Sequence, residues 1–260
     1  MKPSDVPQER LSGRIALVTG GGRGIGLAIA LRLARDGARV IVTGRTHDDL
    51  DRTAQSIGGH ALVCDLADRA ATDAMITQTR AIGRVDILVN NAGIAESAPL
   101  GKTDDAMWDR IMELNATVPF RLTRAFTPAM IDAGWGRVIT IASNAGLTGY
   151  GYTSAYCAAK HAAVGMTRAL AVDLGRTGVT VNAVCPGWVA TRMADEAIAR
   201  IQERTGRDAA ASRAALESMS PQRRLVEPEE VAAAVAMLCT EGARGIHGQT
   251  LVIDGGQVLK

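Results

Sequence analysis

Apolar residues occur in short runs along this chain, and the runs alternate with stretches where they recur every three or four positions. The runs predict strands over 14–19, 38–43, 61–64, 85–90, 136–142, 179–185 and 249–253. The 3.6-residue period between them predicts helices over 24–36, 48–57, 69–82, 104–132, 154–176, 192–220 and 228–239. Several strand runs are continuously apolar rather than alternating, the pattern of a strand covered on both faces. Strands joined by helical crossovers predict an α/β fold, a doubly wound parallel sheet of about seven strands with helices on both faces. No linker or repeat interrupts the alternation, so one domain is expected over 11–260, after a tail, 1–10, expected to be disordered.

Composition narrows this picture only a little. The net charge is +2 and no basic stripe stands out, which argues against a nucleic-acid partner. No apolar stretch is long enough to span a membrane, and the first ten residues carry no signal-peptide core. Cys64, Cys157, Cys185 and Cys239 show no metal-site spacing, so they read as small buried hydrophobes. A cytoplasmic protein without a metal centre is expected.

The first strand runs into TGGGRGIG, residues 19–26, and then into a helix. Glycines there let the backbone approach a pyrophosphate closely, and the helix N-terminus offers free N–H groups and a positive dipole end. Gly20, Gly22, Arg23, Gly24, Ile25 and Gly26 are the candidate phosphate loop. At the end of the second strand, where an acid would bind the bare ribose hydroxyl of NAD, stand Gly44 and Arg45. Arg45 and Arg23 suit a 2′-phosphate, so NADP(H) is expected to be preferred, with NAD(H) usable.

Ser143 follows the fifth strand, and Tyr156 and Lys160 lie four apart on one face of the helix from about residue 154. A lysine beside a tyrosine is expected to lower the phenol pKa toward neutrality, and such a tyrosine can exchange a proton with a carbonyl oxygen. Ser143 would hydrogen-bond the same oxygen.

With TGGGRGIG, Asp65-Leu66, NNAG at 90–93, Asn115, Ser143, YCAAK at 156–160, PGWVAT at 186–191 and IDGG at 253–256, in that order, the chain resembles the short-chain dehydrogenase/reductase family. The resemblance implies a Rossmann-type fold and an exchange of hydride between nicotinamide and a carbonyl/alcohol pair. It implies a catalytic set of Asn115, Ser143, Tyr156 and Lys160, with Asn115 holding a relay water and Lys160 also on the nicotinamide ribose. It places Asp65 and Leu66 at adenine, and Asn90, Asn91, Ala92 and Gly93 along the cofactor, with Asn90 against the adenosine ribose. Pro186, Gly187, Val189 and Thr191 would frame the nicotinamide. A homotetramer, or a homodimer, built through the fourth and fifth helices and the last strand is implied as well.

The substrate end is less defined. A lid over about 188–221, long enough for two helices joined near Gly206, brings Trp188 and Met193, while Gly149, Tyr150 and Tyr152 are expected on the opposite rim beside Ser143. The pattern resembles most closely 3-oxoacyl-thioester reductases, 3-hydroxyacyl-CoA dehydrogenases and polyketide-type ketoreductases. Gly134 and Thr177 stand where a carrier-docking cation is sought, with Arg137 and Arg176 close by. A free ketone, cyclic alcohol, sugar or steroid remains open as the small-molecule substrate, as does a silent nucleotide sensor.

Overall fold

A computed structural model of the chain describes residues 11–258, so the N-terminal tail lies outside the described residues. Seven strands form one sheet: β1 (Ile15–Thr19), β2 (Arg39–Gly44), β3 (His60–Val63), β4 (Ile87–Asn90), β5 (Gly136–Ile141), β6 (Val179–Pro186) and β7 (Thr250–Ile253). Their order is β3-β2-β1-β4-β5-β6-β7, and every pairing is parallel. The order reverses between β1 and β4, and a crevice opens at that point beyond the strand C-termini.

Two cores explain the continuous apolar runs. Val18, Val40, Val42, Ile87 and Val89 face one side, against Ile29 and Leu33 of α1 (Gly24–Arg35). Leu17, Ile41 and Leu88 face the other, against Met75 of α3 (Arg69–Ile82) and Leu122, Phe126 and Met130 of α5 (Val118–Asp132). Alternate residues of one strand thus enter opposite cores, and both must be apolar. Between β2 and β3 lies α2 (His47–Ile57). The four cysteines are all free and buried.

The helix expected over 104–132 is interrupted. It consists of α4 (Asp105–Met112), a π turn at Glu113–Thr117, and α5. The physical reason is Pro119, which has no N–H to give the carbonyl four residues earlier, that of Asn115. Asn115 stabilises the widened turn by donating its amide to the carbonyls of Ile111 and Ile94, both at 2.9 Å.

The chain continues through α6 (Ser154–Leu174), which carries Tyr156 and Lys160, to the lid. The lid comprises α7 (Arg192–Thr205) and α8 (Ala209–Glu217), separated by Gly206 in the left-handed region at φ +69°. It has a small core of its own, with Ala194, Ala197, Ile198, Leu216 and Leu225 packed beside Trp188. Finally α9 (Pro228–Leu238), opened by a Glu227/Glu230 capping box, covers the first core. Among the described residues no helix is long and apolar enough to cross a membrane.

Candidate active site

A cleft of about 540 Å³ occupies the crevice at the sheet reversal. Its floor at the glycine-rich loop is backbone. Gly20 sits at φ +65° and Gly24 at φ +53°, and a Cβ on Gly26 would collide with the Gly20 carbonyl. Only glycine fits these three places. The Asn91 amide donates to the Thr19 carbonyl at 2.8 Å, which ties β4 to the loop. No side chain caps the first turn of α1, so its N–H groups are available to an anion. The residues present therefore fit a dinucleotide pyrophosphate.

Gly20, Gly22, Arg23, Gly24, Ile25, Gly26, Arg45, Asp65, Leu66, Asn91, Ala92 and Gly93 all line this cleft, as do Pro186, Gly187, Val189 and Thr191. Asn90 does not. Its side chain is buried, 3% exposed, and donates to Thr123 Oγ1 at 3.2 Å on the α5 side of the sheet. Arg23 and Arg45 are exposed and pair with no other described residue. A Cβ on Gly44 would stand 3.6 Å from Leu50, in ordinary contact. Asp49 also lines the cleft, with its carboxylate paired to Arg52.

Ser143, Tyr156, Lys160 and Asn115 meet at the far end. Ser143 caps a short 3-10 turn at Asn144–Gly146 by accepting from the Ala145 N–H at 3.1 Å, which fixes its hydroxyl. That hydroxyl stands close enough to the Tyr156 phenol to favour its ionised form. Lys160 is buried, donates to the Ile141 carbonyl at 3.0 Å, and sits 5.6 Å from the Tyr156 ring centre. The Asn115 carboxamide oxygen is buried without a partner among the described residues. It faces Gly93, where a Cβ would come 2.5 Å from it and 3.6 Å from Lys160 Nζ.

The expected lowering of the tyrosine pKa is overturned. Burial pushes the Tyr156 phenol up to about 12, only partly opposed by the Ser143 contact. Burial likewise pushes the Lys160 amine down to about 8. Removal from water costs the phenolate more than the Ser143 contact returns, so Tyr156 holds its proton at neutral pH.

Of the residues expected around the substrate, Trp188 and Met193 line the cleft, whereas Gly149, Tyr150 and Tyr152 do not. The Tyr150 hydroxyl turns back to accept from Gln257 Nε2 at 3.0 Å. Tyr152 is 63% exposed and held at φ +65°. Arg137 is no docking cation either, because it is 1% exposed and stacks on Trp135, 4.2 Å from the ring centre. Arg176 remains exposed. His161 bonds the Cys157 carbonyl at 2.8 Å, within its own helix. No cluster of metal-ligand residues occurs among the described residues.

The sequence reading missed Ile94, Ala95 and Glu96, which also line the cleft, with Ile94 packed in one cluster with Tyr156. Their position directly after NNAG was the available signal. Glu96 is tied to Arg110 at 3.1 Å.

Comparison with known proteins agrees with this fold. A family model described as Enoyl-(Acyl carrier protein) reductase matches residues 20–257. A D-beta-hydroxybutyrate dehydrogenase of Cupriavidus necator is 38% identical over 96% of this chain and 100% of its own length. The 3-oxoacyl-[acyl-carrier-protein] reductase FabG of Escherichia coli is 38% identical, covering 95% of this chain and 98% of its own. Among solved structures, an actinorhodin polyketide ketoreductase variant crystallised with NADPH matches at a TM-score of 0.90 and 36% identity, over 95% of this chain and 98% of that one.

Proposed function

Because the chain belongs to the short-chain dehydrogenase/reductase family, an NAD(P)-dependent oxidoreductase acting on CH–OH groups, we propose that it prefers NADP(H) and interconverts a 3-oxoacyl thioester and its 3-hydroxyacyl form. The observation that carries this reading is the convergence of Ser143, protonated Tyr156 and buried Lys160 at the end of a glycine-floored cleft. The nicotinamide cofactor, when bound, supplies or accepts the hydride.

The chain's own residues handle the oxygen. Ser143, its hydroxyl already oriented by the Ala145 N–H, holds the substrate oxygen beside Tyr156. Tyr156 delivers its proton to that oxygen in reduction and takes it back in oxidation. Lys160 stabilises the phenolate left behind and reaches the ribose. The unpartnered Asn115 oxygen holds a water that returns the proton toward solvent. The exposed, unpaired Arg23 and Arg45 receive the 2′-phosphate.

Two features favour a thioester over a free acid like that named in the Cupriavidus relative. Glu96 lines the cleft two residues beyond Ile94, which packs with Tyr156, and its neighbouring cation Arg110 is committed to it. A carboxylate brought there would meet like charge, whereas a neutral thioester would not. Trp188 and Met193 add apolar surface. A homotetramer or homodimer is part of the same reading, supported by Trp108 and Phe120, each 42% exposed on α4 and α5. Light scattering reads the mass directly.

The test is NADPH oxidation with acetoacetyl-CoA, set against acetoacetate and a panel of cyclic ketones, with 3-hydroxybutyrate and NADP⁺ for the reverse. The expected result is a clear preference for the thioester. Faster turnover of the free acid or a cyclic ketone would overturn the substrate assignment, and no turnover of any would overturn the enzyme.

A further inference from the structure

The wall opposite the glycine-rich loop is the start of α7. Thr191 presses against that loop, so that a Cβ on Gly24 would lie 3.2 Å from its methyl carbon. Arg192, the next residue, lines the same cleft, and so does Glu196 one turn further along. Arg192 Nε donates to Glu196 Oε1 at 2.8 Å, and the two side chains are 69% and 50% exposed. An exposed pair of this kind is held weakly, because water and salt screen it.

Charge balance gives this cation a task. A pyrophosphate on the N-terminus of α1 faces a wall whose first turn carries Asp195 and whose cleft side carries Glu196. Left alone, those carboxylates would repel it. Arg192 is the lid cation that lines the cleft at this place, and its planar guanidinium binds phosphate oxygens in pairs. Arg23 and Arg45, by contrast, come from the loop and from the end of β2.

We propose that Arg192 is a ligand of the cofactor pyrophosphate carried on the lid, so that dinucleotide binding draws the start of α7 onto the glycine-rich loop. This rests on the reading of the cleft as a dinucleotide site. It differs from the 2′-phosphate contacts in a readable way. The pyrophosphate is common to NADPH and NADH, so Arg192 is blind to the choice between them.

The experiment titrates wild type, Arg192→Ala, Arg192→Lys and Glu196→Gln with NADPH, NADH and adenosine 2′,5′-bisphosphate, followed by tryptophan fluorescence from Trp188 in the cleft. Arg192→Ala should raise Kd for NADPH and NADH by the same factor, about tenfold, the low end of one charged hydrogen bond. The bisphosphate keeps only the adenosine-side phosphate of the pyrophosphate, so its affinity should fall by less than that of either dinucleotide. Arg192→Lys should fall between, and Glu196→Gln should tighten both dinucleotides. Hydrogen exchange in the first turn of α7 should slow with NADPH in wild type and much less in Arg192→Ala. An unchanged Kd for both dinucleotides in Arg192→Ala, or a loss confined to NADPH, would overturn the proposal while leaving the cleft assignment intact. Failure of the wild type to bind either dinucleotide would overturn both. The side chain is exposed, so the variants are expected to fold, and their melting curves check it.

Discussion

The half of the cleft proposed for adenosine and the half proposed for substrate are built differently. The first is made of backbone at the ends of the strands, where Gly20, Gly24 and Gly26 leave no choice of residue and the sheet beneath is packed on both faces. The second is made of side chains from a lid with its own small core, joined to the body through the isolated Val189–Val226 bridge and through Ser220, which donates to the Gly255 carbonyl at 3.0 Å. A rigid backbone cradle suits a cofactor that is the same in every turnover. A side-chain wall on few attachments suits a substrate that must enter and leave. Ser143, Tyr156 and Lys160 stand at the seam.

The comparison is broken most severely at that seam. Tyr156→Phe keeps the ring and removes the proton, so turnover should fall by at least about 10²-fold. NADPH affinity, which belongs to the other half, should stay within error. Steady-state rates and fluorescence titration on one preparation read both quantities.

Lys160 sharpens it through pH. Reduction needs the Tyr156 proton, and the phenol alone would keep it to about 12. Lys160 loses its charge near pH 8. If the ammonium supports the proton transfer, reduction slows as pH rises through about 8 instead of holding toward 12. The same burial costs stability. The folded pKa of Lys160 lies below its ordinary value of 10.5, so between about 8 and 10.5 the unfolded chain binds the extra proton and the group's burden lifts as pH rises. Lys160→Met should therefore raise stability below pH 8, by roughly 1–3 kcal/mol, with the gain gone by pH 10.5. Urea unfolding at three pH values tests this, and a destabilised variant at pH 7 would count against it.

In the adenosine half, Gly44→Asp has room for its side chain and places a carboxylate where a 2′-phosphate would sit. Preference should swing toward NADH. Arg45→Ala should remove part of the NADPH advantage, about tenfold at low salt and less at high salt. Smallest of all, hydrogen exchange in α7 and α8 should slow on binding NADP⁺ and product, while exchange in β1 and β4 barely changes. Uniform protection across the molecule would remove the contrast between the halves.

Strands, helices and the cleft position of Ser143, Tyr156 and Lys160 were legible because each rests on local pattern. Apolar runs report strands covered twice, and the glycine string reports a backbone with no room. What escaped depended on contacts distant in sequence or on counting along a strand. Leu88 enters one core while Ile87 and Val89 enter the other, and the same alternation carries Asn90 to Thr123, leaving Asn91 for the cleft. Pro119 announced the break behind Asn115, but helical periodicity outweighed it. The withdrawal of Tyr150 to Gln257 pairs residues 107 apart, which no local pattern carries. Burial of Arg137 against Trp135 and Glu241 is of the same kind. The Tyr156 pKa is of this kind too, because spacing shows the lysine and does not show the desolvation.

The central claim is that this cleft reduces a 3-oxoacyl thioester with a phosphorylated nicotinamide cofactor. It is tested most directly by kcat/KM of the wild-type enzyme for NADPH and for NADH, with acetoacetyl-CoA saturating, at low salt. Two charged contacts to the 2′-phosphate, discounted for exposure, predict NADPH ahead by roughly ten- to a thousandfold, with the gap narrowing as salt rises. Equal values, or NADH ahead, would mean that Arg23 and Arg45 are solvated surface charges and that the account of the adenosine half is wrong.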